Sequence, residues 1–178
     1  MDTLNCKVLE TKTLLQTAIF RLDQKTIEDA RGHHYSRSVV EKGPAVVLIP
    51  VDAAGNVLLV KQWRAGAEQV LLELPAGVIE AGESPQTAAE REIREETGMR
   101  CGNLLLLGES YVSPGYCSER FLFFLARELT ADPLPCDEDE ILELVKLPLA
   151  LIRQNPAIRQ DAKTWLGILA VLDYLAQN

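Results

Sequence analysis

The segment Gly77–Met99, GVIEAGESPQTAAEREIREETGM, restricts what this chain can fold into more than any other feature. It joins a glycine-bearing loop to a sequence that predicts a capped helix. Ser84 is a favourable N-cap, and Pro85 suits the first helical position, where its missing N–H costs nothing. Gly98 provides the residue type at which helices commonly end. We therefore predict a short helix with defined ends and a loop held at its start.

Glutamates crowd one face of this predicted helix. At 100° per residue they are neighbours three and four positions apart: Glu92, Glu95 and Glu96. Like charges at these spacings destabilise a helix by about 0.2–0.5 kcal/mol per pair, and the last turn is also the negative end of the helix dipole. A divalent cation would remove both penalties, and carboxylate oxygens suit Mg²⁺ or Mn²⁺. A solvated acidic face is the alternative, and the charge pattern taken alone favours it.

The spacing within the segment resembles the Nudix box. Gly77 is followed after five residues by Glu83, and after seven more by the run REIREETGM, so every defined position is filled. Four further stretches resemble the ADP-ribose pyrophosphatase branch of the Nudix hydrolases: Gln62-Trp63-Arg64, Glu73-Leu74-Pro75-Ala76-Gly77, Ser113-Pro114-Gly115 and Asp161-Ala162-Lys163-Thr164. In that branch a proline follows the box at a set distance, and Pro114 stands sixteen residues after Gly98.

The resemblance implies an α/β architecture, the Nudix fold, in which a mixed β-sheet is sandwiched between helices (α/β/α). An N-terminal antiparallel β appendage is expected over residues 1–42, with the catalytic domain over residues 43–178. In the resembled branch such a segment takes part in a homodimer and is often exchanged between subunits. A strand pair that packs on its own domain is the alternative.

The resemblance also assigns roles around the acidic helix. The expected metal ligands are carboxylates of the box and one backbone carbonyl before it: Glu92, Glu95, Glu96 and Ala76. A second set is expected to hold the loop and the helix in place: Gly77, Glu83, Arg91 and Gly98. In this set Arg91 is expected to pair with Glu83 and so to orient the ligands.

Substrate-binding and catalytic roles come from the flanking stretches. The expected substrate-binding residues lie on both sides of the box: Arg64, Glu73, Ser113, Pro114, Gly115 and Glu119. Arg64 read alone is equally consistent with an ordinary surface arginine. The candidates for catalytic carboxylates are Glu95, Glu138 and Glu140. The last two belong to an acidic run that is usually a solvated turn, and the sequence does not choose between them as general base.

The composition indicates which partners and which cellular compartment to expect. A net charge of −8 argues against binding to nucleic acids or to anionic membranes. The four cysteines form no CxxC pair, which predicts reduced thiols in a cytoplasmic protein. The N-terminal sequence shows no signal peptide, and no apolar run is long enough for a membrane span.

Local patterns predict the remaining elements. Strands are expected at 17–22, 35–40, 45–51, 57–62, 70–74, 104–107, 109–112, 120–127 and 141–147. The strands at 45–51 and 57–62 are expected to form a hairpin. A short helix is predicted at 149–154, and Asp161 is expected to cap a last helix. The apolar stripe predicted to face the core of that helix is Trp165, Leu166, Ile168, Leu169, Val171, Leu172 and Leu175.

Together these features predict hydrolysis of the diphosphate bond in ADP-ribose, giving AMP and ribose 5-phosphate. The reaction is expected to depend on Mg²⁺, with Mn²⁺ as a second candidate. A different nucleoside diphosphate sugar, such as ADP-glucose or GDP-mannose, is the first alternative. A regulator that binds ADP-ribose without cleaving it is the second. Such regulators typically lack part of the acidic set, which is complete here.

Overall fold

The computed structural model describes residues 4–136 and 141–178. In chain order the strands are β1 (Lys7–Gln16), β2 (Arg21–Glu28), β3 (His34–Glu41), β4 (Ala45–Pro50), β5 (Asn56–Arg64), β6 (Gln69–Glu73), β7 (Ala76–Val78), β8 (Met99–Arg100), β9 (Asn103–Tyr111), β10 (Arg120–Arg127), β11 (Thr130–Ala131) and β12 (Glu143–Pro148). The α-helices are α1 (Pro85–Thr97) and α2 (Ala162–Gln177), and 3₁₀-helices span Leu149–Gln154 and Pro156–Arg159. Within the described ranges, no helix has the length and hydrophobicity that a membrane crossing needs.

The chain divides into two compact units, and the first contains Met1–Gly43 together with Tyr111–Arg120. Its sheet has the order β1-β2-β3, and both strand pairs are antiparallel. β1 is exposed along its whole length. It was not predicted because a strand without a buried face has no apolar alternation to reveal it.

The strand predicted at 17–22 is largely wrong, because this stretch begins with the turn between β1 and β2. The Thr17 hydroxyl accepts hydrogen bonds from the backbone N–H of Ile19 and of Phe20, at 3.1 and 2.9 Å. It also donates to the Phe20 carbonyl at 2.7 Å. These local bonds replace the ladder that a strand would need.

The second unit contains Pro44–Ser110 and Phe121–Asn178. Its larger sheet has the order β7-β4-β10-β9 and is mixed, because β4 is parallel to β10 and antiparallel to β7. An antiparallel sheet has the order β12-β5-β6, and β8 pairs with β11. These strands and the two α-helices form the predicted α/β fold.

The central strand β4 is buried on both faces, which explains its unbroken apolar sequence AVVLIP. Val47 and Ile49 pack in one core cluster with side chains of α2, while Val46 and Leu48 pack in another with side chains of α1. Successive side chains of a strand point to opposite faces, so β4 carries a helix on each side. Each buried aliphatic side chain contributes about 1.5–3 kcal/mol, and this burial fixes α1 on the sheet.

The hairpin predicted from 45–51 and 57–62 is wrong. β4 and β5 belong to different sheets, and only an isolated bridge joins Val51 to Val57. Both edges of β4 are already used by β7 and β10, so β5 pairs with β6 and β12 instead. The strands predicted at 104–107 and 109–112 are one strand, β9, which continues through Gly108.

The helix ends agree with the sequence. The Ser84 hydroxyl accepts a hydrogen bond from the Thr87 N–H at 3.1 Å. Gly98 has a left-handed φ of 70°, and its N–H donates to the Arg94 carbonyl. Asp161 caps α2, as predicted, by accepting from the Thr164 N–H at 3.0 Å.

Candidate active site

Two carboxylates of α1 approach the backbone of β7. The Ala76 N–H donates to Glu96 Oε1 at 3.4 Å. At position 77, a Cβ would lie 1.8 Å from Glu92 Oε1, so only glycine leaves room for that carboxylate. Glu92 and Glu96 are four residues apart and therefore share one face of the helix. The site thus begins as a narrow gap between the acidic face of α1 and the backbone of residues 76–77.

Arg91 ties the loop before α1 to the glutamates of the helix. Its Nε and Nη2 donate to the two oxygens of Glu83 at 3.1 and 3.0 Å, which is the contact that the family resemblance implies. Its Nη1 donates to Glu92 Oε1 at 2.7 Å and to Glu95 Oε2 at 2.9 Å. The Glu83 hydrogen bond is the main reason that the pKa of Arg91 is raised, while Arg91 lowers the pKa of Glu83. Arg91 therefore stays charged and offsets the repulsion between carboxylates.

The donor set fits a hard divalent cation, although the side chains are arranged around Arg91. In residues 4–136 and 141–178, no three Asp, Glu, His or Cys side chains form a ready metal cage. Arg91 Nη1 donates to one oxygen of Glu92 and to one oxygen of Glu95. Carboxylate oxygens and backbone carbonyls are nevertheless the ligands that Mg²⁺ and Mn²⁺ accept.

Arg64 and Glu73 form a planar pair beside this gap. Arg64 Nε donates to Glu73 Oε1 at 2.9 Å, and Arg64 Nη2 donates to Glu73 Oε2 at 2.8 Å. Glu73 is 1% exposed, whereas the Arg64 side chain is 41% exposed. The Glu73 hydrogen bond raises the pKa of Arg64, and the nearby charge of Glu96 raises it further. One end of the pair is therefore buried and the other faces solvent near the acidic helix.

A buried lysine completes the group around Glu73. Lys163 Nζ donates to Glu73 Oε2 and, at 2.9 Å, to Asp161 Oδ2. Burial opposes ionisation of Glu73, but Arg64 and Lys163 outweigh it and hold its pKa below the usual range. Asp161 behaves in the same way: burial acts against its charge, while Lys163 and Thr164 lower its pKa.

Thr164 connects Asp161 to the segment that precedes β7. Its hydroxyl lies 2.6 Å from Asp161 Oδ2 and accepts from the Leu74 N–H at 2.8 Å. Leu74 is followed by Pro75 and then by β7, so the start of α2 is bonded to the strand end from which residues 76–77 emerge. The link joins parts of the chain ninety positions apart.

The sequence interpretation missed Lys163 as a buried residue. The predicted stripe on α2 included Leu166 and Leu175, but both are exposed. The buried stripe begins instead with Lys163 and Thr164 and continues through Gly167, Ile168 and Val171. Its spacing of three and four residues was visible in the sequence, yet a lysine in a first turn is ordinarily solvated.

The first unit contains four further site candidates: Ser113, Pro114, Gly115 and Glu119. There the Cys117 N–H donates to the Ser113 carbonyl at 2.8 Å, closing a turn around Pro114 and Gly115. Glu119 is buried and forms an ion pair with Lys42 at 2.7 Å. Glu138 and Glu140 lie outside the described residues.

Substitution of Gly77 tests the close approach of Glu92 to β7. We expect Gly77→Ala to lower kcat by about tenfold or more, because the new Cβ displaces the Glu92 carboxylate. Gly66→Ala is the matched control, since nothing lies within 4 Å of a Cβ there. The measurement is the steady-state kcat of both variants. Equal kcat values would contradict the conclusion that the Glu92 carboxylate needs the space left by Gly77.

Comparison with known proteins places the sequence in a family. The NUDIX domain family matches residues 41–166. The ADP-ribose pyrophosphatase of Bacillus subtilis (strain 168) is 35% identical over 91% of this chain and 92% of that protein. The GDP-mannose pyrophosphatase of Yersinia pestis (strain Pestoides F) is 31% identical over 92% and 87%.

A solved structure shows the same fold. The crystal structure of an ADP compounds hydrolase superposes with a TM-score of 0.87, covering 99% of this chain and 98% of that chain at 23% identity. This similarity extends over both units of the chain and agrees with the α/β architecture described above.

Proposed function

The chain belongs to the Nudix hydrolases, in their ADP-ribose pyrophosphatase-like branch, and from this premise we propose that it hydrolyses the diphosphate bond of ADP-ribose. A water oxygen forms a bond to one phosphorus and the bridging P–O bond breaks, which yields AMP and ribose 5-phosphate. The observation that supports this best is the acidic face of α1 against residues 76–77, with the Arg64 guanidinium near Glu96.

The acidic face is proposed to hold a divalent cation, with Mg²⁺ favoured. Glu92, Glu95 and Glu96 would provide carboxylate oxygens and Ala76 its backbone carbonyl. Such a cation, when bound, neutralises phosphate charge and lowers the pKa of a coordinated water. Arg91 spans Glu83, Glu92 and Glu95 and keeps the loop and the helix in register.

Arg64 is proposed to bind the diphosphate directly. Its two hydrogen bonds to described residues both go to Glu73 and use Nε and Nη2. In a planar guanidinium this leaves the Nη1 edge directed away from Glu73, and the Arg64 side chain as a whole is 41% exposed. A phosphate oxygen is a suitable acceptor for that edge, because arginine–phosphate hydrogen bonds are charge-assisted.

A carboxylate must take the proton from the attacking water, since general-base catalysis requires a group within hydrogen-bond reach of it. Glu138 and Glu140 are the proposed candidates on the basis of the family resemblance, and Glu95 is the candidate on α1. Glu95 Oε2 already accepts a hydrogen bond from Arg91 Nη1 at 2.9 Å, so this oxygen would have to exchange partners to reach the water.

A second substrate class is supported by the GDP-mannose pyrophosphatase of Yersinia pestis, which matches over nearly the same length. The roles proposed for Arg64 and for the α1 carboxylates concern the diphosphate, which both substrate classes contain. Discrimination must therefore come from contacts with the nucleobase and the terminal sugar.

Product analysis tests the reaction and the substrate together. The purified protein is incubated with ADP-ribose, ADP-glucose or GDP-mannose, with Mg²⁺ or with excess chelator. We expect AMP and ribose 5-phosphate from ADP-ribose only when Mg²⁺ is present, and the highest kcat/KM for that substrate. Turnover that persists in chelator contradicts the metal-dependent mechanism, and intact ADP-ribose bound without product indicates a regulator.

A further inference from the structure

We propose that Lys163 is a positioning residue for the diphosphate site, acting through Glu73 on Arg64. This inference depends on the proposed role of Arg64 in binding the substrate diphosphate. Lys163 lies on α2, Glu73 at the end of β6 and Arg64 at the end of β5, so three elements meet at one buried carboxylate.

The burial of Lys163 requires an explanation beyond stability. Its side chain is 9% exposed and is shared between two carboxylates, those of Glu73 and Asp161. Replacing a buried ion pair with well-packed apolar groups is often neutral or stabilising, so such a pair is weak evidence for a stabilising role. The cap on α2 does not require the lysine either, since Asp161 accepts directly from the Thr164 N–H. The geometry points instead to Glu73 as the group that Lys163 acts on.

Three donors hold the Glu73 carboxylate in one orientation. Arg64 contributes one to each oxygen, and Lys163 adds the third on Oε2. The two bonds from Arg64 alone define a plane, but that fork can swing as a unit about the Glu73 side chain. Lys163 fixes the carboxylate from the side of α2, and the fork then directs the Nη1 edge of Arg64 in a fixed direction.

The consequence is specific to substrate binding. Without the Lys163 charge, Glu73 keeps a single cationic partner and Arg64 becomes mobile together with the carboxylate. Binding of the diphosphate must then order this fork, and that cost appears in KM rather than in kcat. A purely structural lysine would change stability without changing KM through Arg64.

A double-mutant cycle on the full-length protein separates these cases. The variants are Lys163→Met, Arg64→Ala and the double variant, assayed with ADP-ribose and Mg²⁺. We expect Lys163→Met to raise KM by about tenfold and to change kcat by less than about twofold. In the Arg64→Ala background the same substitution should change KM by less than about twofold, because Lys163 acts through Arg64.

The matched control is Lys61→Met. Lys61 lies on β5, as Arg64 does, and pairs with Glu143 at 2.8 Å. This pair is exposed and outside the site. Its KM and kcat should equal those of the unmodified protein. Lys163→Arg keeps the charge and should bring KM back to within about threefold of the unmodified value. Should Lys163→Met fail to fold, Lys163→Gln replaces it as the neutral variant, and Lys163→Arg remains the variant that keeps the charge.

Calorimetric titration of the same variants with ADP-ribose in excess chelator, where no turnover is expected, gives the cycle in Kd. Absence of product from the unmodified protein overturns the proposed hydrolysis. The Kd values of the four proteins in the cycle still test the positioning role of Lys163. Equal KM and Kd for Lys163→Met and the unmodified protein overturn the positioning role. The positioning role is also overturned if the fold-changes in KM and Kd of the two single variants multiply in the double variant, because Lys163 would then act independently of Arg64.

Discussion

Glu96→Gln is expected to lower kcat by at least about a hundredfold, which corresponds to about 2.7 kcal/mol of lost transition-state stabilisation. Glu96 Oε1 accepts from the Ala76 N–H at 3.4 Å, and the charge of Glu96 helps to raise the pKa of Arg64. An amide of the same shape loses the negative charge that a divalent cation requires. The measurement is the initial rate of AMP formation at saturating ADP-ribose and Mg²⁺.

Glu90→Gln is the control for this substitution. Glu90 lies on the same helix and is exposed, so the change removes the same charge from another face of α1. Its kcat should stay within about twofold of the unmodified protein. Comparable losses in both variants would mean that the overall charge of the helix, and not a placed carboxylate, supports turnover. Full activity in Glu96→Gln would refute the proposed mechanism.

Glu73→Gln is expected to destabilise the fold by about 3 kcal/mol or more, because removing one partner leaves buried charge uncompensated. Lys163 would keep only Asp161 as a counter-ion, and Arg64 would lose its carboxylate entirely. The two cations that now lower the pKa of Glu73 would face a neutral amide. Urea denaturation measures the change as a lower midpoint at constant slope.

Glu143→Gln provides the comparison for Glu73→Gln. Glu143 pairs with Lys61 on the neighbouring strand, but its side chain is 68% exposed and that of Lys61 is 43% exposed. Surface pairs contribute about 0–1 kcal/mol, so little loss is expected. A Glu73→Gln protein as stable as Glu143→Gln would show that the buried group is not under the electrostatic constraint that its geometry indicates.

Local chemistry made the acidic helix predictable. Ser84, Pro85 and Gly98 act within one or two turns of their own positions, so their effect is nearly independent of the rest of the chain. The same holds for Asp161 at the start of α2. The glutamate arc on α1 followed from helical periodicity, and its spacing relative to Gly77 indicated the family before any fold was known.

Pairing between distant segments was not predictable in the same way. The strand sequences of β4 and β5 were recognisable, but their partners depend on which sheet edges are free after folding. β1 was missed because exposure on both faces erases periodicity. Lys163 was missed because its burial is tolerable only beside two carboxylates, and one of these is ninety residues away.

The sequence by itself determined the helix with its caps, the acidic arc and the family, because each depends on residue type and short spacing. Only the tertiary structure decided that Gly77 makes room for Glu92 and that Glu73 joins Arg64 to Lys163. The physical reason is that charge burial and steric fit depend on groups brought together by packing, and no local pattern records them.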